Sequence, residues 1–458
     1  MKIEELLTLP EGKTLEFKQD LSSPKNILKT LIAFANTAGG VLLIGIEDGS
    51  KAVLGVENPL DEEERLCNLI SDSIEPRLAP SVELVNWKGN SLLMVEVYPS
   101  ALRPHWLKSQ GIASGVFVRV GSTNRQADGP LTAEMRRSAL NLSYDEELMP
   151  EINPEALDLR VASGLFAGLR EWNESMPETL RLVLRNQGRL APTVGGVLLF
   201  GIDRERYFPD AWIQCGRFGG TDKASILDQQ EIRDHLPLAL NDAIEFVKKH
   251  ASRSAEFGEL RRKDFWNVPL EAVREALTNA IVHADYSQTG APIRVSIFDD
   301  RIEIENPGLL SGGMTLSDIR EGVSKLRNRV IGRVFKELKL IEQWGSGFQR
   351  MSASCRALDL PEPKMEEVAF RFRITFSLLR VATRVQMGDV ERKIMELIQA
   401  CEADGGASTQ YLSQAVGIST RSMRERLAGM SKAGLIVAIG KSAYDPKKRY
   451  FSAKDAQS

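Results

Sequence analysis

One helix constrains this chain more than any other feature. Leu270, Val273, Leu277, Ala280, Ile281 and Ala284 recur at the helical period over Leu270–Ala284 and form one apolar stripe. Glu275 and Asn279 are four residues apart and leave the opposite face together. Beyond Tyr286, Ile293-Arg-Val-Ser-Ile-Phe, a turn at Asp299-Asp300 and Arg301-Ile-Glu-Ile-Glu-Asn-Pro-Gly predict a hairpin that ends in a glycine-containing turn. Farther on, Gly345 and Gly347 precede a predicted helix, whose free N–H groups and dipole suit a phosphate.

The chain has 458 residues, enough for about three domains, and it divides by pattern into four segments. The first, roughly 1–145, carries a helical stretch at Pro24–Thr37 and strand-like runs at Gly40–Ile46, Ser91–Tyr98 and Gly115–Val120. Asp145–Glu155, acidic and with two prolines, reads as a linker. The second, 155–255, mixes a helix at Pro154–Glu174, a buried strand at Gly196–Gly201 and a helix at Leu227–His250. The third, 256–380, holds the helix and hairpin above, and the fourth, 387–455, holds helices with short turns and a basic tail. The fold class expected is α+β, in several domains.

With 43% hydrophobic and 26% charged residues, the composition is that of a soluble globular protein. The longest apolar runs, such as Val41–Ile46, are too short to span a bilayer, so no membrane partner is expected. Met1–Gln19 lacks the basic and apolar regions of a secretory signal, and a cytoplasmic location is expected. Four cysteines and four histidines lie scattered without Cys-x-x-Cys or His-x-x-x-His spacing, which argues against a zinc site. A net charge of −3 gives no global attraction to a polyanion, so any nucleic-acid site must be a local patch.

Four runs stand in order: Glu275-Ala-Leu-Thr-Asn-Ala-Ile-Val-His-Ala-Asp-Tyr, Asn306-Pro-Gly, Ser324-Lys-Leu-Arg-Asn and Gly345-Ser-Gly-Phe-Gln-Arg-Met. Together they resemble the divergent GHKL-type (Bergerat) ATP-binding α/β sandwich of the RecG-related, AAA-4 group. The resemblance implies that ATP is the cofactor, with Asn279 binding Mg²⁺ and Glu275 orienting the attacking water. Asn306, Gly308, Arg327, Asn328, Gly345 and Gly347 would complete the nucleotide site. The family's Asp-x-Gly-x-Gly is here Asn306-Pro307-Gly308-Leu309-Leu310. Asn306 still offers an acceptor for the adenine amine, but it is neutral and can also donate.

In the first segment, Glu16 and Lys18 flank Phe17, so on a strand the two charges share a face. Glu11-Gly-Lys-Thr-Leu-Glu-Phe-Lys, Ala33-Phe-Ala-Asn-Thr-Ala-Gly-Gly, Ile44-Gly-Ile-Glu-Asp, Pro104-His105 and Val118-Arg-Val-Gly-Ser-Thr-Asn-Arg-Gln-Ala together resemble a Schlafen-type AlbA-like domain. By that resemblance Glu11, Glu16 and Asp48 form a carboxylate trio for Mg²⁺ or Mn²⁺ against a scissile phosphate, with Lys18 beside it. The competing reading is a structural ion pair between Glu16 and Lys18 and an ordinary turn at Asp48-Gly49. Arg119, Arg125 and Lys108 are candidate phosphate contacts.

In the fourth segment, a helix from Thr409, a turn at Gly417 and a helix over Thr420–Ala433 precede a predicted hairpin, and the set resembles a winged helix-turn-helix. From Ser419 to Tyr450 there are eight Lys/Arg against two Asp/Glu, net +6. Arg421, Arg424 and Arg426 are expected on the outer face of the second helix, and Ser422, Arg421 or Arg424 would read bases while Lys441, Lys447 and Lys448 contact phosphates.

Three functions remain open at this level. One is an ATP-modulated, DNA-binding transcriptional regulator; another is an ATP-gated, metal-dependent nuclease acting on RNA, tRNA or DNA, as in phage defence; the third is a scaffold. A homodimer or larger homo-oligomer is implied by the GHKL resemblance. A helicase motor is not expected, because the Gly-x-x-x-x-Gly-Lys-Ser/Thr loop is missing from the sequence.

Overall fold

The computed structural model describes residues 3–251, 253–257, 262–311, 313–341, 345–378, 389–401, 405–432, 436–439 and 448–452. It separates into a unit of residues 1–378 and a unit of residues 379–458. Both mix helices and sheets, as the α+β reading requires.

The larger unit begins with a four-stranded sheet. β1 (Leu15–Lys18) runs parallel to β2 (Gly40–Ile44), and α1 (Pro24–Asn36) makes the crossover. After α2 (Pro59–Ser73), the hairpin β3 (Ser81–Trp87) and β4 (Asn90–Val97) completes the order β1-β2-β4-β3. Side chains on β2 and β4 alternate between two cores, as strand geometry dictates. Leu42, Ile44, Leu93 and Val95 meet Ile27, Leu31 and Phe34 of α1, whereas Leu43 and Leu92 meet Phe17 on the other face. Gly39 enters β2 at φ +76°, where a Cβ would run into the Val97 carbonyl. A small hairpin, β5 (Phe117–Val120) and β6 (Thr123–Gln126), leads to α3 (Gly129–Ala139).

The stretch that follows is no free linker. Asp145 is fully buried, and its carboxylate accepts from Arg329 N (2.9 Å), Val330 N (2.7 Å), Ile331 N (2.9 Å) and the Ser143 hydroxyl. Those amides open α8 (Arg329–Glu337), whose own preceding residue, Asn328, makes no side-chain cap. Asp145 therefore caps a helix more than 180 residues away in sequence.

Three expectations need correction here, and the first is the helix read over Pro154–Glu174, which is α-helical only at Leu159–Phe166. The apolar run read as a strand at Gly196–Gly201 is helix α5 (Val194–Phe200), after the short α4 (Leu159–Phe166). Every residue of α5 is buried, so its pattern lacked any period, and the Thr193 hydroxyl accepting from Gly196 N (2.9 Å) sets its start. The helix expected over Leu227–His250 begins only at Leu236. Its first residues lie in β8 (Ser225–Ile232), an edge strand paired along β7 (Ile213–Gly219), and α6 (Leu236–His250) takes Pro237 in its first turn.

The expected helix and hairpin are present as α7 (Leu270–His283), β9 (Ile293–Ile297) and β10 (Arg301–Pro307). β9 pairs in parallel with β7, so the segments read as 155–255 and 256–380 share one sheet. α9 (Gly347–Arg356) and the hairpin β11 (Lys364–Val368) and β12 (Arg371–Ser377) complete it, in the order β8-β7-β9-β10-β12-β11. α7 packs between α6 and α9, and its stripe of Val273, Leu277, Ala280 and Ile281 is buried.

In the smaller unit, α10 (Asp389–Ala400), β13 (Ala407–Ser408), α11 (Thr409–Val416), α12 (Thr420–Lys432), β14 (Ile436–Ile439) and β15 (Arg449–Ser452) enclose a core. Ile394, Ile398, Leu412, Met423, Leu427 and Met430 form it. Gly417 ends α11 at φ +80°, a left-handed C-cap. Lys441 and Lys447 lie outside the described residues.

Asp145→Ala leaves the first amides of α8 unpaired inside the protein. A loss of about 3 kcal/mol is expected, read as a lower urea midpoint in circular dichroism; an unchanged midpoint would contradict the capping role.

Candidate functional site

A cavity of about 150 Å³ opens between α7 and the face of β10 and β12. Glu275, Asn279 and His283 line it at successive turns of α7. Gly345, Gly347 and Phe348 line it at the start of α9, and Ile304, Asn306, Met365, Phe372 and Ile374 form its sheet side. With Ser324 and Arg327 also on its wall, residues from four separate sequence motifs converge on one space.

The polar groups are already oriented. Asn279 Nδ2 donates to Glu275 Oε1 (3.3 Å), which leaves the Asn279 oxygen for the cavity. The other Glu275 oxygen pairs with Arg350 (3.0 Å). Gly347 abuts the Glu275 carboxylate so closely that a Cβ there would collide with it. Asn306 Nδ2 donates to the Pro307 carbonyl (3.0 Å), and no hydrogen bond reaches its Oδ1 among the described residues. The amide therefore faces the cavity as an acceptor. His283 is driven down to about 4, first by burial and then by the Arg327 charge.

Three residues expected to touch the nucleotide have other duties. Arg327 borders the cavity, but its guanidinium donates to the His283 carbonyl (2.7 Å), the Leu309 carbonyl (2.5 Å) and Glu134 of α3 (2.9 Å). Burial opposes its charge, yet Glu134 and Asp285 outweigh that and hold the group above the ordinary arginine range. Asn328 is fully buried and donates to the carbonyls of Val282 (2.9 Å) and Ala284 (2.7 Å). Gly308, at φ +99°, makes room for Arg327 and Asp285. Lys325, between Ser324 and Arg327, does line the cavity and was missed, although it lies inside a motif the sequence displays.

In the first sheet, the carboxylate trio is not assembled. Glu11 accepts from Phe17 N (2.9 Å) and braces the loop before β1. Glu16 is buried between Lys18 (2.8 Å) and the Arg119 guanidinium, and Lys18 reaches on to Asp48 (3.3 Å). Burial works against the Lys18 ammonium, but Glu16 and Asp48 more than compensate and raise it above the usual lysine value. Among the described residues, no group of three His, Cys, Asp or Glu side chains is placed to hold a metal ion. Arg119 also fails as a phosphate contact: it is 1% exposed and donates to Gly12 O (3.0 Å) and Asn124 Oδ1 (2.9 Å) as well as Glu16. Arg125 and Lys108 are exposed.

Comparison with known proteins gives these two regions names. Residues 11–128 match the family model "Schlafen, AlbA_2", and residues 290–376 match "Putative ATP-dependent DNA helicase recG C-terminal". The chain carries both domains. An uncharacterized ATP-binding protein of Ureaplasma parvum serovar 3 is 32% identical over 88 residues, 19% of this chain, which spans about a quarter (24%) of that relative's length. A solved protein from Corynebacterium diphtheriae is 18% identical, with 99% of this chain and 96% of that one covered at a TM-score of 0.43. The N-terminal domain of a "Putative ATP-dependent DNA Helicase RecG-related Protein" from Nitrosomonas europaea is 26% identical over 27% of this chain and 90% of its own, at a TM-score of 0.23.

The Schlafen AlbA_2 domain rests directly on the RecG-type domain. Lys13 bridges to Glu367 (2.7 Å), which accepts from Leu310 N (2.7 Å), and Glu134 of α3, just beyond the matched residues, adds its pair with Arg327. In the smaller unit, Arg421 is 90% exposed and Arg424 is exposed, but Arg426 pairs with Glu391 of α10 and is not on the free face. Lys448 lies over the Tyr450 ring (5.8 Å). No helix among the described residues is long and apolar enough to cross a membrane.

Two predictions follow from these placements. Arg119→Ala leaves the buried Glu16 with Lys18 as its remaining cation among the described residues, and should cost about 3 kcal/mol in urea unfolding; full stability with selective loss of nucleic-acid affinity would reverse the assignment. His283 has a folded value below its unfolded one, so its contribution is intact above pH 6.5 and is lost as pH falls towards 4. The stability difference between wild type and His283→Gln should therefore shrink across that window, followed by urea midpoints at each pH.

Proposed function

We propose that this protein binds ATP with Mg²⁺ in the cavity beside α7 and uses the nucleotide to control its hold on nucleic acid, acting as a DNA-binding transcriptional regulator. The convergence of Glu275, Asn279, Asn306, Gly345 and Gly347 on one cavity carries the reading. The Ureaplasma relative, described as ATP-binding, supports it.

The donor set fits an adenine nucleotide. The apolar walls of Ile304, Met365, Phe372 and Ile374 suit a base, and the free Asn306 oxygen suits an exocyclic amine and disfavours the 6-oxo group of guanine. The amide groups at the start of α9, with Gly345 and Gly347, suit the phosphates. The Asn279 oxygen, beside the Glu275 carboxylate, would hold Mg²⁺, which when bound neutralises phosphate charge. Glu275 in turn lies within reach to orient a water.

Control of binding, without strand cleavage, is supported by the Schlafen AlbA_2 domain itself, where Glu11 and Glu16 are engaged by an amide and two cations. The smaller unit would act as a winged helix, with the exposed Arg421 and Arg424 and the adjacent Ser422 reading bases. Lys441, Lys447 and Lys448 would add phosphate contacts in the same reading. Pairing of two copies, implied by the GHKL resemblance, belongs to the same proposal.

The test is titration calorimetry with Mg²⁺ and ATP, GTP or ITP, joined to retention and integrity of labelled DNA, RNA and tRNA. Tighter binding of ATP than of GTP or ITP is expected, lost in Asn279→Ala, with ATP-dependent retention of intact DNA. Metal-dependent cleavage abolished by Glu16→Ala would instead make the protein a nuclease.

A further inference from the structure

Five cationic side chains gather where the Schlafen AlbA_2 domain meets the nucleotide cavity. Arg103 and Arg137 come from the first domain; Lys325, Arg327 and Arg329 come from the loop before α8 and its first residue. Three of them are taken up. Arg327 is bound to Glu134 and two carbonyls. Arg137 lies over the Tyr144 ring (4.8 Å) and faces Glu147 (3.7 Å). Arg329 donates to Asn141 (2.5 Å) and Glu146 (3.4 Å).

The neighbouring carboxylates are engaged in turn. Glu134 is on Arg327, Glu146 also binds Arg181 (2.5 Å), Asp145 caps α8, and Asp285 accepts from Ser287 and Gln288. Arg103 and Lys325 are what remains. Among the described residues Arg103 donates one hydrogen bond, to Ser138 Oγ (3.0 Å), its buried Nε has no partner, and the carboxylate that acts on its charge, Glu134, is itself held by Arg327. Lys325 makes no ion pair among the described residues, and burial, then the charges of Arg103 and Arg329, hold it below the ordinary lysine range. Two cations brought together beside an orphaned donor form an arrangement that an anion would relieve.

The cavities lead to the same place. Ser311 and Arg327 border three adjoining spaces: the nucleotide cavity, a second lined by Lys325, Ser138 and Arg329, and a third lined by Arg103 and Ser138. Gly322 backs onto Gly345, and Val323, Ser324 and Lys325 continue along the nucleotide cavity from there. Lys325 therefore lies on the side of the cavity where α9 begins.

We propose that Arg103 and Lys325 form a subsite for the terminal phosphate of a nucleoside triphosphate, so that the Schlafen AlbA_2 domain supplies a ligand to the neighbouring domain's nucleotide. The proposal rests on the nucleotide reading above. With a triphosphate in place, the guanidinium and the ammonium share one anion. With a diphosphate, they face each other across the seam without it. The subsite thus distinguishes the two nucleotides by charge, and the discrimination is made at the contact between domains.

The full chain is titrated by calorimetry with Mg²⁺ and ATP, ADP or inorganic tripolyphosphate, as wild type, Lys325→Gln and Arg103→Gln. Lys325 lies at the mouth of the cavity and makes no hydrogen bond or ion pair among the described residues, so its substitution tests the subsite without removing a fold contact of that kind. The wild type is expected to favour ATP over ADP at least tenfold, and each substitution to reduce that ratio at least fivefold. An unchanged ratio in Lys325→Gln overturns the subsite while leaving nucleotide binding intact. If the wild type binds neither nucleotide, the functional reading fails separately and tripolyphosphate decides. Binding of it that is lost in Lys325→Gln upholds the anion subsite, and no binding to wild type overturns it.

Discussion

The buried guanidinium of Arg327 is the interaction on which the larger unit depends. It joins three elements that share no sequence neighbourhood: α3 through Glu134, the end of α7 through the His283 carbonyl, and the turn after β10 through the Leu309 carbonyl. A buried charge persists only where its partners return what desolvation removes, and here a carboxylate and two carbonyls do so. The planar fork of arginine suits three acceptors in different directions; a lysine ammonium would not span them. Gly308 follows from the same constraint, because a Cβ at that position would strike the Arg327 guanidinium. Asn328 completes the bracket by holding the carbonyls of Val282 and Ala284 at the end of α7. The Ser324–Asn328 and Asn306–Gly308 motifs thus serve the wall of the cavity more than its contents.

The seam between domains joins a buried apolar contact, in which Leu309 packs with Val116, Val118, Leu131 and Met135, to specific polar ties. Lys13, Glu367 and the Leu310 amide form a second tie, on the same peptide unit of the turn after β10 whose Leu309 carbonyl Arg327 holds. Leu310 stands where the related pattern has glycine, and its amide is fixed by Glu367. Any displacement of residues 307–311 on filling the cavity must act on both ties at once, since each ends on that turn. The seam therefore couples the two domains through these hydrogen bonds together with the buried cluster around Leu309.

Local pattern made a large part of this legible. The α7 stripe, the β9–β10 hairpin, the glycine-led α9 and the Met423, Leu427 and Met430 core positions all have a period that burial on one side imposes. The failures have a common cause. α5 is buried on every side, so its residues carry no period and resemble a strand. β8 is exposed along most of its length, and only its pairing with β7 decides its conformation. Asp145, Arg119 and Arg327 looked like linker, phosphate contact and ligand. Each is tied to one distant partner, Asp145 to the Arg329 amide, Arg119 to Glu16 and Arg327 to Glu134, 103 to 193 residues away in sequence, and spacing cannot reveal such contacts.

The first sheet illustrates why carboxylate motifs underdetermine chemistry. A divalent cation is drawn to surplus negative charge and to oxygens whose lone pairs are free. Glu11, Glu16 and Asp48 supply three charges, but Lys18 and Arg119 return two within the same group, and the oxygens of Glu16 face both cations. Glu11 accepts from the Phe17 amide, where it shapes the loop before β1. Arg119 also lies over the Phe34 ring (5.4 Å), so withdrawing it would open the core beneath β1 and α1. The cations are therefore part of the fold and not a removable screen. Of the two readings that the residue types allow, a ligand set or an ion-pair chain, the position of Arg119 beside Glu16 favours the second, and that position follows from packing.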